Sequence, residues 1–169
     1  MENKKDEFKK LRDENIDLAI IAKGGISLYY KESLIDYDMQ LLSTKGYTII
    51  QFDDRVITTE TELHLDLQEK LGFPQYGKGF DALNDFMRAY ELTPPGHVLV
   101  FKKLDHLDAR SIYHLLDVFA IHCRKNIAIG KKLVILVKVD NPRFSIREPI
   151  GSLNFWLWND QEWFEGNRR

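Results

Sequence analysis

The amino-acid sequence predicts an α/β fold: a mainly parallel sheet of three to four strands, packed by helices in a small three-layer or two-layer arrangement. Three apolar segments, beginning near Tyr47, His97 and Leu133, have the length and the β-branched content of buried strands. Segments with helical periodicity separate them, and strands joined through helices are connected by right-handed crossovers into a parallel sheet. The strand-like segment Ile26 to Tyr30 can add a fourth strand.

An N-terminal extension precedes the first of these strands. Its charged segment from Glu2 to about Asn15 predicts a surface helix, and Ile16 to Ala22 either extends that helix or forms a strand. Gly24-Gly25 then breaks the chain. A second helix is predicted to begin at Ser33, which can cap it, and to run to about Thr44.

The helix that follows the strand at Tyr47 has signals at both ends. Thr59 followed by Glu62 is the pattern of a capping box. Behind it, leucines recur every fourth residue, as one stripe of a helix does. They are Leu63, Leu67 and Leu71. Gly72 ends this helix, and Pro74 prevents its return.

The next helix, beginning near Gly79, is predicted to be amphipathic because its apolar residues share one side at about 100° per residue. These apolar residues are Phe80, Leu83, Phe86, Met87 and Tyr90. Asp81, Asp85 and Arg88 lie on the opposite side. Two carboxylates four residues apart project from one helix face, where they repel slightly in the free protein and attract a cationic partner.

A strand, a long helix and a final strand complete the predicted sheet. Pro94-Pro95-Gly96 stops the amphipathic helix before the strand His97 to Phe101. Either Asp108 or Ser111 opens the long helix. Its inward-facing residues are Ile112, Leu115, Leu116, Phe119 and Cys123. The last predicted strand, Leu133 to Val139, is rich in β-branched residues.

The C-terminal segment contains all three tryptophans, Trp156, Trp158 and Trp163. Leu153 to Trp158 partly alternates and predicts an edge strand, and Asn159 or Asp160 can cap a short final helix. Two interpretations stay open: the aromatic residues cover the sheet, or they form an exposed contact surface.

Charge is unevenly distributed on a chain whose net charge is only −2. The segment from Asp53 to Glu91 contains nine acidic and four basic residues, whereas the segment from Gly96 to the end contains twelve basic and eight acidic ones. An acidic block of this kind either attracts a cationic partner or is a solvated surface without one. The near-neutral total argues against a strongly basic nucleic-acid-binding protein.

Cellular location is predicted from the cysteine and from the terminus. Cys123 is the only cysteine, which excludes an internal disulfide and is typical of a reducing compartment. The N-terminal residues are charged, without the apolar stretch of a signal peptide, and runs such as Leu133 to Val137 are too short to cross a bilayer. We expect a cytoplasmic protein that does not bind membranes.

Catalytic and metal-binding patterns are weak. His114 and His122 lie two turns apart on a helix, too far to share an ion, and no phosphate-binding loop, nucleophile elbow or metalloprotease helix is present. Asp81 and Asp85 resemble an acid–base pair in type, but carboxylates on adjacent turns rarely lie on both sides of a glycosidic bond. We therefore expect no catalytic residue, no metal and no cofactor.

Residues 71–85, with the sequence LGFPQYGKGFDALND, resemble the signature of the barstar family. That signature has a leucine-rich helix, a loop with proline, tyrosine and glycine, and then Asp-Ala-Leu with a second aspartate one turn later. The resemblance extends over residues 47–139 and defines a barstar-like domain. It leaves residues 1–46 as an N-terminal extension and residues 140–169 as an aromatic-rich C-terminal extension packed on the same domain.

The resemblance implies an inhibitor or immunity protein that occludes the active site of a basic, secreted ribonuclease or toxin, contacts no nucleic acid directly and is not an enzyme. The residues implied to bind the partner are Tyr76, Gly77, Asp81, Asn84 and Asp85. Asn84 stands where the family usually has a tryptophan. The alternative is a regulatory module of the same fold whose partner is not a nuclease. We expect a monomer.

Overall fold

The computed structural model of the chain describes residues 2–52, 55–74, 79–151, 159 and 161–162. It contains six α-helices and four strands in the described residues, with one or two helices before each strand. The helices are α1 (Glu2–Glu14), α2 (Ile16–Ile21), α3 (Glu32–Thr44), α4 (Glu60–Leu71), α5 (Phe80–Ala89) and α6 (Ala109–Ala128). The strands are β1 (Ile26–Tyr29), β2 (Thr48–Phe52), β3 (His97–Lys102) and β4 (Leu133–Lys138). A short 3₁₀ turn, Leu104–His106, follows β3.

The four strands form one parallel sheet in the order β1-β4-β3-β2. The predicted α/β class is therefore confirmed, and Ile26–Tyr29 is the fourth strand. Both central strands are buried on their two faces: in β3, Leu99 and Phe101 face one core, whereas Val98 and Val100 face the other. Such strands are continuous apolar segments because helices cover both sides of the sheet.

Helices cover the sheet on both faces, so the fold has three layers. On one face, the first core is formed with residues of α4, α5 and α6. On the other face, α2 and α3 contribute Ile16, Ile20, Ile35 and Leu42 to the second core. The first 46 residues thus supply both an edge strand and the helical layer of the second face.

Local signals in the sequence correctly predicted most helix ends. Thr59 and Glu62 form the capping box of α4, and Gly72 ends that helix in the left-handed conformation, with φ of 67°. Asp108, rather than Ser111, caps α6 by accepting from the backbone N–H groups of Arg110 and Ser111. Within the described ranges, no helix combines the length and the apolar character that crossing a membrane requires.

Two expectations in the extension are corrected. The segment Ile16–Ile21 is a separate short helix, not a strand, because its buried side chains have helical spacing. Ser33 does not cap α3: the helix begins at Glu32 with Lys31 as its first flanking residue. The predicted edge strand Leu153 to Trp158, the tryptophans and Asp160 lie outside the described residues.

A buried ion pair attaches α1 to α3. The Arg12 guanidinium donates to both carboxylate oxygens of Asp38, at 2.9 and 2.5 Å, and the Tyr29 hydroxyl donates to Asp38 Oδ2 at 2.6 Å. Burial lowers the pKa of Arg12, but the hydrogen bond and the charge of Asp38 outweigh burial and raise it above its ordinary value. Arg12 therefore stays charged inside the fold.

Two C-terminal residues, Asn159 and Glu162, form hydrogen bonds with the backbone at the edge of the sheet. The Glu162 carboxylate is fully buried and accepts from the backbone N–H of Tyr30 at 3.0 Å and of Lys31 at 2.7 Å, just before α3 begins. The backbone N–H of Asn159 donates to the carbonyl of Leu28 at 3.1 Å. These bonds satisfy backbone groups on the free side of β1, which is an edge strand.

We expect Glu162→Ala to lower the free energy of unfolding by about 1–3 kcal/mol, because it leaves two partly buried N–H groups without their acceptor. Urea denaturation measures the loss, and hydrogen exchange at the Tyr30 and Lys31 amides should become faster. Glu148→Ala, at an exposed position, is the control and should change stability by less than about 0.5 kcal/mol. Equal stability of the two variants would show that the hydrogen bonds of Glu162 do not stabilise the fold.

Candidate protein-binding site

Helix α5 has one apolar face and one acidic face. Leu83 and Met87 are buried in the first core, while Asp81 and Asp85 are exposed. The apolar spacing therefore fixes which way the carboxylates point: they project from the protein one helical turn apart. The prediction of an amphipathic helix with outward carboxylates is confirmed.

Aromatic contacts hold α5 against its two neighbouring helices. The Phe80 ring lies 5.0 Å from the His64 ring of α4 and 5.5 Å from the His114 ring of α6, between ring centroids. At the other end, the Phe86 ring lies 5.2 Å from the Phe73 ring. Side chains locked in this way keep the exposed face of the helix in one orientation, as a preformed binding surface requires.

Asn84 is bonded within the protein. Its Oδ1 lies 2.9 Å from Nε2 of His122, a residue of α6 that is only 2% exposed. Since an amide oxygen only accepts, Nε2 donates the hydrogen. Burial lowers the pKa of His122, and the nearby charges of Lys125 and Arg88 lower it further. A neutral imidazole thus ties the middle of α5 to α6.

Three buried histidines make the free energy of unfolding depend on pH. Burial lowers the pKa of His64, His97 and His122 below the ordinary value of 6.5. In His97, Nε2 accepts from the backbone N–H of Thr93 at 3.1 Å, a bond that a protonated ring cannot accept. The unfolded chain binds these protons more readily, so stability is complete above about pH 6.5 and falls as the pH drops below it.

We therefore expect the free energy of unfolding to decrease from pH 6.5 to pH 5, with a slope of up to about 1.4 kcal/mol per pH unit for each histidine. Urea denaturation at half-unit intervals measures it. His122→Gln, which keeps a donor for Asn84 and does not titrate, should show a shallower slope. A free energy of unfolding that stays constant between pH 6.5 and pH 5 would contradict this prediction.

The two aspartates have different electrostatic surroundings. Asp85 Oδ1 lies 3.2 Å from Nη1 of Arg88, one turn further along α5, and the two side chains are 71% and 60% exposed. Within the described part of the chain, Asp81 makes no salt bridge. Among the described residues, Asp81 thus has no ion-pair partner, whereas the charge of Asp85 is partly neutralised by Arg88 of its own helix.

An acidic groove of about 550 Å³ adjoins Asp81, and we define it by the carboxylates of Glu60, Asp81 and Asp108. Ser111, on its floor, donates to Asp108 Oδ2 at 2.6 Å and lies 3.5 Å from Glu60 Oε2. Arg110, which also lines the groove, contributes one positive charge. The groove therefore extends the acidic surface of α5 towards the beginnings of α4 and α6.

Sequence reasoning did not connect Glu60 and Asp108 with Asp81. The available signal was positional: Glu60 begins α4 and Asp108 caps α6, and both helices follow strands of a parallel sheet. Helices that follow parallel strands begin at the same edge of the sheet. Of the predicted partner-binding residues, Asp81, Asn84 and Asp85 lie together on α5, whereas Tyr76 and Gly77 lie outside the described residues.

One group of side chains in the described residues has the donor types of a metal site: Asp105, His106 and Asp140. His106 and Asp140 are exposed and Asp105 is half-buried. Each has a partner within the protein, although Asp105 Oδ1 is a buried atom without a hydrogen bond from the described residues. Asp140 pairs with the Lys138 amine and lies 3.2 Å from His106 Nε2. Asp105 Oδ2 accepts from the backbone N–H groups of Asp140 and Asn141. The lysine supplies the positive charge there, so the group gives no reason to assign an ion.

The fold and the site define a small three-layer α/β protein with an acidic helix presented on its surface. The family model of barstar, described as barnase inhibitor, matches residues 47–137, just over half of the chain. The chain belongs to the barstar family, as the resemblance of residues 71–85 predicted. The match extends from β2 into β4, ending one residue before the end of that strand, and includes the whole of α5. No curated protein matches the chain.

Proposed function

We propose that this protein is an inhibitor that binds a basic ribonuclease and occludes its active site with the acidic face of α5. The observation that carries the proposal is the pair of exposed carboxylates, Asp81 and Asp85, one turn apart on a helix that both neighbouring helices hold in place. Membership of a family of barnase inhibitors supports the same role. The protein itself acts by binding and catalyses nothing.

The chemistry of the partner explains why carboxylates serve this purpose. A ribonuclease cleaves a polyanion, so its cleft holds Arg, Lys and His side chains for phosphate and for the charge of the transition state. A carboxylate on a rigid helix can occupy the place of a phosphate there and accept charge-assisted hydrogen bonds from arginine. In this proposal Asp85 enters the phosphate pocket, and Asp81 binds at its rim.

The acidic groove supports the proposal through long-range attraction. With Glu60 and Asp108 beside Asp81, negative charge extends over the beginnings of three helices. Such a surface attracts a basic protein and accelerates association, more strongly at low salt because ions screen exposed charges. Tyr76, Gly77 and Asn84 complete the proposed contact surface.

Residues 47–139 carry the binding function in this proposal, while residues 1–46 and 140–169 stabilise that unit. Asp81, Asn84 and Asp85 all lie in the first range. The buried bonds from Arg12 and Glu162 lie in the other two, away from the acidic face. A cytoplasmic inhibitor of this kind would keep a ribonuclease inactive before its export.

The experiment is an RNA-hydrolysis assay with barnase and a panel of barnase-type ribonucleases, each titrated with the protein. We expect stoichiometric, one-to-one loss of activity for at least one enzyme, and association that becomes slower as salt rises. Calorimetry on the same pair gives the stoichiometry independently. Full activity of every ribonuclease in the presence of excess protein would overturn the proposal and favour a regulatory module with another partner.

A further inference from the structure

Arg88 is a positive charge on the face that the proposed function assigns to a cationic partner. Its Nη1 lies 3.2 Å from Asp85 Oδ1, and within the described residues this is its only ion pair. The contact joins residues three apart on one helix, both largely exposed. A pair of this kind is weak in water, so the guanidinium can move to another acceptor without disturbing the fold.

Two positive charges lie near this end of the face. Arg88 near the end of α5 and Lys125 on α6 both lie close enough to His122 to lower its pKa. The acidic groove lies at the other end of α5, beside Asp81. The exposed face therefore changes along α5: it is acidic at the beginning of the helix and of mixed charge at the end, where Arg88 and Lys125 accompany Asp85 and the exposed Glu91.

A face that includes Arg88 does not suit a uniformly cationic partner. When Asp85 binds a cationic pocket, Arg88 loses its carboxylate and is held beside that pocket, where like charges repel. The repulsion disappears if the partner has its own carboxylate at this place, because a guanidinium and a carboxylate form two parallel hydrogen bonds. The Arg88 charge thus repels a partner that is uniformly cationic and attracts a partner that has a carboxylate at this place.

We infer that Arg88 is a specificity determinant: it restrains Asp85 in the free protein and selects ribonucleases that carry an acidic side chain beside the cationic cleft. This inference rests on the proposed function for its partner class. It assigns to Arg88 a role opposite to that of the two aspartates, which attract every basic protein alike.

The test compares wild type, Arg88→Gln and Asp85→Asn with two probes. The first probe is a hexa-arginine peptide, titrated at low salt while the α5 amide resonances are followed by NMR. The second is a ribonuclease that the wild-type protein inhibits, measured by stopped-flow kinetics. Lys5→Gln on α1, across the sheet, removes the same charge from an exposed position and is the control.

We expect Arg88→Gln to bind the peptide about 3- to 10-fold more tightly and the ribonuclease at least about 3-fold more weakly, while Lys5→Gln changes neither by more than about 2-fold. Unchanged peptide affinity, or a shift of both affinities in the same direction, would overturn the inference. Asp85→Asn reports separately on the proposed function, since it should weaken binding of the ribonuclease whatever Arg88 does. If the wild-type protein inhibits no ribonuclease, the proposed function fails, but the peptide affinities still show whether Arg88 restrains Asp85.

Discussion

Asp85→Ala is expected to weaken binding of the target ribonuclease by about 2–5 kcal/mol, roughly 30- to 5,000-fold. The proposal places this carboxylate in the phosphate pocket, where its removal leaves buried cationic groups of the enzyme without a partner. That range comes from measured interfaces, the barnase–barstar complex among them, and is carried over to this one. Most of the loss should appear as faster dissociation, because buried pairs govern dissociation more than association.

The matched control for Asp85→Ala is Glu69→Ala. Glu69 is an exposed acidic residue of α4, so the variant has the same change in net charge and leaves α5 intact. Surface plasmon resonance at physiological salt measures both variants, and urea denaturation verifies that both stay folded. Asp81→Ala should give the next largest effect. Equal affinities of Asp85→Ala and Glu69→Ala would contradict the role given to α5.

Asp38→Asn is expected to lower the free energy of unfolding by about 3–5 kcal/mol. Asp38 is 1% exposed and Arg12 is 6% exposed, and their two hydrogen bonds hold α1 against α3. An asparagine leaves the buried Arg12 charge with Asp13, 3.2 Å from Nη1, as its remaining counter-ion. It also weakens the bond from the Tyr29 hydroxyl. Removing one member of a buried pair in this way is more damaging than replacing both by apolar groups.

Asp36→Asn is the control for this stability measurement. Asp36 lies on the same helix, but its side chain is 51% exposed and its partner, the Lys102 amine, is 3.4 Å away. We expect this substitution to change stability by less than about 0.5 kcal/mol, as exposed pairs contribute little. Thermal and urea denaturation of both variants, monitored by circular dichroism, measures the two changes in the free energy of unfolding. A small effect of Asp38→Asn would show that α1 is held mainly by other contacts.

The sequence predicted what depends on local pattern. The apolar residues of α5 predicted its buried face and therefore the outward direction of Asp81 and Asp85. The Thr59 capping box and the αL residue Gly72 likewise follow from interactions within a few residues of the chain. Such features are predictable because the period of the helix alone decides which side chains share a face.

Contacts between residues distant in the sequence were not predictable in this way. The partners Arg12 and Asp38 are 26 residues apart, and Glu162 lies more than 130 residues from the amides it binds. Neither contact leaves a periodic signal, since each depends on how layers of the fold meet. Asn84 is similar: its position on α5 was predicted, but its bond to His122 follows from the packing of two helices.

The most direct test of the account is the type of inhibition. If α5 places carboxylates where RNA phosphate binds, the protein and a substrate-phosphate analogue, such as a 3′-mononucleotide, must exclude each other from the ribonuclease. We expect competitive inhibition, in which the apparent Kd of the protein rises linearly with the concentration of the nucleotide. A Kd that is independent of saturating nucleotide would place the protein elsewhere on the enzyme and contradict the central claim.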